Sequence, residues 1–307
     1  MFPVTNWWNT DISAAPVDVN SAAYINFVSG RTASAPTSRR QVHPDFGPSP
    51  YGFPYVVVSG DQPLVVPVWT AYGDESDAGA PGRPPGYPIP HEAKTGADYI
   101  EGAVPGGGSD GDRHLLIVDA DNWLLYETGA TFWNAALGRW EANCGAAFDL
   151  NRNDRRPEGW TSADAAGLAI LPGLVRYDEA FAAAALTHAF RVTVSRTNGY
   201  VWPASHRAGS TAGALPMGAR LRLKSSKDLS GYRPEIQRIF RAMQRYGLIV
   251  ADNGSDMYVS GTMDARWDNS VLNPAFHSLT ADDFDVVQLG WQGASPPRAP
   301  TNLHIVR

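Results

Sequence analysis

A single cysteine, Cys144, stands in the 307 residues, so the chain forms no intramolecular disulfide and no CxxC metal site. Asn143-Cys144-Gly145 offers no imidazole nearby, which reads as a buried small hydrophobe and not as a catalytic thiol. Positive charge is also scarce. With 25 Lys and Arg against 31 Asp and Glu the net charge is −6, which excludes the basic surface a nucleic-acid binder needs. No apolar run reaches the ~20 residues of a membrane helix. Met1-Phe2-Pro3-Val4-Thr5 has no basic or apolar leader region, so no signal peptide is expected at this start. GxSxG, P-loop, HExxH and strand-to-helix GxGxxG motifs are all missing, and Gly106-Gly107-Gly108 has no helix after it to make a phosphate cradle.

What is abundant is apolar and turn-forming. Hydrophobic residues make up 43% of the chain, and 30 Gly and 24 Pro sit beside only 18% charged residues. That combination predicts an ordered, loop-rich, mostly β fold with a sizeable core. The specific expectation is a two-sheet, jelly-roll-like β-sandwich with one packed helix. It is a single domain over 1–294 that includes an N-terminal strap at 1–50, followed by a linker-like or edge-strand tail at 295–307.

Local patterns support individual elements. Val56-Val57-Val58 and Val65-Val66 with Val68 flank Ser59-Gly60-Asp61-Gln62 and read as a hairpin. His114–Thr128 reads as a second hairpin around Asp119-Ala120-Asp121-Asn122, and Trp140–Leu150, His188–Ser195 and Arg220–Lys224 alternate as strands. Pro234 to Tyr246 is the clear helix. Pro234 suits its first position and Gly247 its C′ position, with Ile236, Ile239, Phe240 and Met243 on one face. The stretch AGLAILPGLV, broken by Gly167, Pro172 and Gly173, predicts a buried, sharply turning segment with polar groups on both sides.

Acidic residues cluster at turns. Asp74-Glu75-Ser76-Asp77 opens the long loop from Gly73 to about Asp98, Glu101 follows it, and Asp112 and His114 lead into a strand. Glycoside cleavage needs two carboxyl groups, one protonated and one ionised. The catalytic candidates are therefore Asp164, Asp112, Glu101, Glu75 and Asp77. Asp164 is expected to be the least solvated, since Ala163, Ala165 and Ala166 surround it. Trp160 and Trp202 offer flat faces for pyranose rings, and His206, His114 and Arg176 complete the substrate-binding set. The same residues have plainer readings. Asp and Glu cap turns or pair with Arg113 or Arg83, Asp178 caps a helix, and His188 is a core histidine. A metal held by Asp112, His114 and His206 is the alternative chemistry, through the i, i+2 spacing of DxH; no metal or other cofactor is otherwise expected.

GDRH at 111–114, WTSADAAGLAILPGLVRYDEA at 160–180, PMGARLRLK at 216–224 and YGLIVADNGS at 246–255 together resemble a group of secreted bacterial and fungal proteins. The resemblance runs from about Asn6 to Val287. It implies a secreted single domain and brings no catalytic assignment. The expectation is thus a secreted carbohydrate-active enzyme, a glycoside hydrolase acting on a polysaccharide through a carboxylate pair, with neither nucleic acid nor membrane as partner. Its alternatives are a non-catalytic carbohydrate-binding or surface-interaction protein and a metal-dependent polysaccharide lyase or oxidase.

Overall fold

The computed structural model describes residues 1–78 and 83–293, and the predicted tail at 295–307 lies outside them. The first half supplies helix α1 (Ser21–Val28) and strands β1 (His43–Asp45), β2 (Tyr55–Val58), β3 (Val68–Trp69), β4 (Leu115–Asp119), β5 (Leu124–Gly129), β6 (Phe132–Asn134), β7 (Arg139–Ala142) and β8 (Cys144–Asp149). The second half supplies helices α2 (Tyr177–Phe181), α3 (Pro234–Arg245) and α4 (Asn269–His277), with strands β9 (Phe190–Val194), β10 (Arg220–Leu223), β11 (Leu248–Asn253), β12 (Tyr258–Ser260) and β13 (Phe284–Val286). The chain is mostly β, as its composition predicts.

Among the described residues the strands form three sheets and not two: six strands in the order β1-β12-β9-β11-β10-β13, four in the order β2-β4-β5-β8, and three in the order β3-β7-β6. Pairing is mixed, because β1 runs parallel to β12, β9 to β11, β2 to β4 and β3 to β7. Parallel neighbours require long connections, which is where the large loop content goes. The 54–69 hairpin does not form. Pro63 and Pro67 remove ladder donors there, and Gly60 N–H instead donates to Asp121 at 2.8 Å, docking the turn on the β4–β5 turn. The N-terminal 50 residues are more than a strap, since they contribute α1 and the edge strand β1. Asp178 lies inside α2, whose N-cap position is Arg176.

The four-stranded sheet shows how the layers share a core. Side chains alternate across a strand, so Leu116 and Val118 of β4 join the main core with Phe190, Val192 and Phe240. Leu115 and Ile117 point the other way, into a second cluster with Tyr87, Tyr126 and Trp140. All five β4 residues are buried. Helix α3 buries Ile236, Ile239, Phe240 and Met243, and its C-cap Tyr246 is followed by Gly247, where φ is +78° and an added Cβ would meet the Leu221 carbonyl oxygen at 2.6 Å. The AGLAILPGLV segment is a fully buried turn, with a 3-10 helix at Leu171–Gly173. Glu127 of β5 ties it down, accepting from Ile170 N–H at 2.8 Å and Leu171 N–H at 2.9 Å.

Candidate acidic pocket

Where the N-terminal approach to β4 meets the C-terminal end of β11, an open pocket of about 700 Å³ forms. Asp112 and His114 come from the β4 approach, Asn143 and Cys144 from the entry to β8, Thr161 to Ala163 from the segment before the buried turn, His206 and Arg207 from a loop, and Asp252 from β11.

The wall behind Asp252 is set by strand register. Asp45 of β1 pairs with Ser260 of β12, and the β12–β9 register carries Ser260 beside Arg191 of β9. The Ser260 hydroxyl accepts from Arg191 Nη1 at 2.8 Å. On the other flank the β11–β9 register shifts between Val250 and Asp252. This bulge leaves Ala251 without a partner and sets Asp252 opposite Thr193, on the Arg191 face of the sheet. Asp252 then accepts from Arg191 Nη2 at 2.8 Å, while Asp164 takes Nε and Nη2 at 3.2 and 3.1 Å. One buried guanidinium thus holds two carboxylates and a hydroxyl.

His114 is the second fixed cation. Its Nδ1 faces Glu101 Oε2 at 2.6 Å and its Nε2 faces the Ala163 carbonyl at 2.9 Å. Burial alone would lower its pKa, but the Glu101 carboxylate raises it to about 9. Both ring nitrogens therefore donate, and neither keeps a lone pair for a cation while those bonds hold. Burial opposes ionisation of Glu101, yet the His114 imidazolium holds it below the ordinary range. Burial pushes Asp164 up to about 6 against Arg191, and raises Asp252 and Asp45 as well. Burial also pushes the Cys144 thiol up to about 12, so it stays protonated and donates to Asn143 Oδ1 at 3.0 Å. His206 differs from His114. Its Nδ1 faces the Ala165 carbonyl at 2.8 Å, and its Nε2 has no hydrogen-bond partner among the described residues.

Of the residues singled out in the sequence, Asp112, His114, Glu101, Asp164 and His206 gather here. Only Asp112, His114 and His206 line the pocket itself, since Asp164 is fully buried behind it and Glu101 lies behind His114. Glu75 and Asp77 belong to a neighbouring ionic knot. Asp77 is ion-paired with Arg156, and with Arg83 at 2.6 Å, and accepts from Ala147 N–H at 3.0 Å; Glu75 accepts from Thr161 N–H at 2.6 Å. Trp160 joins that knot, with the Arg83 and Arg156 guanidinium carbons 5.3 and 5.4 Å from its ring centroid. Trp202 packs on Trp7 and Arg220. Arg176 sits elsewhere, paired with Glu179 at 2.5 Å and near His188. Asp252, Arg191, Asp45 and Glu127 were not singled out. Arg191 and Glu127 carry a signal in hindsight, a charged residue inside an otherwise apolar strand.

No family model matches the chain, and no curated protein or solved structure is significantly similar to it. Among the described residues no helix is long and apolar enough to cross a membrane.

Proposed function

We propose that this protein is a secreted glycoside hydrolase that cleaves a polysaccharide in the acidic pocket, with Asp252 as proton donor and Asp112 as its ionised partner. One observation carries the reading: two carboxylates of unlike solvation, Asp252 from β11 and Asp112 from the loop that leads into β4, line the same open pocket. Burial raises Asp252, which suits a group that must hold a proton until the glycosidic oxygen takes it. Asp112 is exposed and precedes β4, where it can serve as base or nucleophile at the anomeric carbon. His206 Nε2, the Thr161 and Ser162 segment and Asn143 supply hydrogen-bonding groups for sugar hydroxyls, as a polar carbohydrate site requires. In this reading Asp164 and Glu101 are positioning residues. Asp164 holds Arg191, which holds Asp252, and Glu101 holds His114. The four- and six-stranded sheets then serve as the two layers of a sandwich-like cleft.

The test is a polysaccharide panel assayed for new reducing ends, with and without chelator. Asp112→Asn and Asp252→Asn should each lower turnover ~10²-fold or more, with folding intact by circular dichroism. Wild-type turnover in both variants would overturn the assignment. Loss of cleavage on chelation alone would transfer it to a metal-dependent lyase or oxidase. Binding without any cleavage by the parent would leave a carbohydrate-binding protein.

A further inference from the structure

Three arginines are almost fully buried, and two of them are neutralised. Arg191 faces Asp164 and Asp252, and Arg156 faces Asp77. Arg220 of β10 is 4% exposed and has no carboxylate partner among the described residues. Among the described residues its only side-chain hydrogen bond runs from Nη2 to the Trp7 carbonyl, and its Nε and Nη1 groups have no partner. The Trp7 indole N–H is also buried and unpaired, as is that of its neighbour Trp8. Trp7 and Arg220 share a further neighbour. The Trp202 ring lies 6.3 Å from Trp7 and 5.9 Å from the Arg220 guanidinium carbon, centroid to ring and carbon to centroid.

This region therefore presents an uncompensated positive charge and a surplus of one kind of hydrogen-bonding group, all donors. The Trp202 face and the Trp7 carbonyl offset part of the charge. A buried cation without a counter-charge remains costly, and water can satisfy an N–H without neutralising it. We propose that Arg220, together with the Trp7 indole, binds a small monovalent anion of the halide class as a structural counter-ion, tying the N-terminal segment to β10. A small spherical ion suits the place, because it accepts from several donors without needing oriented lone pairs. The site is separate from the acidic pocket, and the proposal stands whether or not that pocket cleaves sugars.

The test compares thermal unfolding in sodium chloride and in sodium gluconate at equal ionic strength. The expected result is a saturable rise in midpoint specific to chloride, lost in Arg220→Met. Crystals of the unaltered protein grown in sodium bromide should show an anomalous peak in contact with the Arg220 guanidinium. That measurement decides alone if Arg220→Met does not fold. Identical midpoints in the two salts, with only water beside Arg220 in the bromide crystals, would overturn the proposal.

Discussion

Two acid-rich regions lie side by side in this molecule, and they spend their carboxylates differently. In the knot around Arg156, Asp77 is fully buried and surrounded by donors, so its charge closes a structural joint between the long loop and β8. Around the pocket, Asp112 has no ion-pair partner among the described residues, and Asp252 keeps part of its surface open while one edge is held by Arg191. Sequence treats the two sets alike, as Asp and Glu beside glycine-rich turns. What separates them is the number of donors that folding brings to each group. A buried carboxylate enclosed by two guanidinium groups is closed to a substrate; one held along a single edge is not.

The contrast can be broken most forcefully at the knot. Arg156→Met leaves the Asp77 charge buried with its main partner gone and should cost about 3–5 kcal/mol, measured by denaturant unfolding. A loss below 1 kcal/mol would mean that the knot is not a joint. The next effect is a pH dependence at the pocket. His114 titrates at about 9 in the folded chain against an ordinary 6.5, so the native state holds this proton more tightly than the unfolded one. Its contribution is full below pH 6.5 and is lost as pH rises through about 9, on the order of 3 kcal/mol. Unfolding free energies at pH 6.5 and 9 should show that decline in the parent and a smaller one in His114→Asn. Equal slopes would remove the His114–Glu101 pair from the account. Smallest of all, Asp112→Asn should shift stability by no more than about 0.5 kcal/mol, the counterpart of its large expected effect on turnover.

Legibility in the sequence followed the range of the contacts. Helix α3 could be read because Pro234, Gly247 and the four apolar residues on its face all lie within fifteen positions. The β4–β5 hairpin could be read for the same reason, from the acidic turn at Asp119–Asn122. The predicted 54–69 hairpin failed because the true partners of β2 and β3, namely β4 and β7, follow dozens of residues later and run parallel. At the pocket, Glu101, Asp112 and His114 are near in sequence, and all three were legible as candidates from the turns and strand start they flank. Asp252 opens Asp252-Asn253-Gly254-Ser255, residue types that favour a turn, yet β11 runs through Asn253. Arg191 passed as one residue in an alternating strand, since alternation shows which face a side chain takes and not what waits there.

The bulge at Ala251 makes the chemistry of this pocket a matter of odd and even. With strict pairing from Val250 onward, Asp252 would fall opposite Val194 and share the apolar face of Val192; one extra residue reverses its parity and delivers it to Arg191. A frame of this kind tolerates substitution better than it tolerates counting errors. Loops around the pocket can lengthen or shorten without disturbing it, whereas drawing Ala251 into the ladder opposite Thr193 would turn the acid to the Val192 face and take one of its two carboxylates from Arg191.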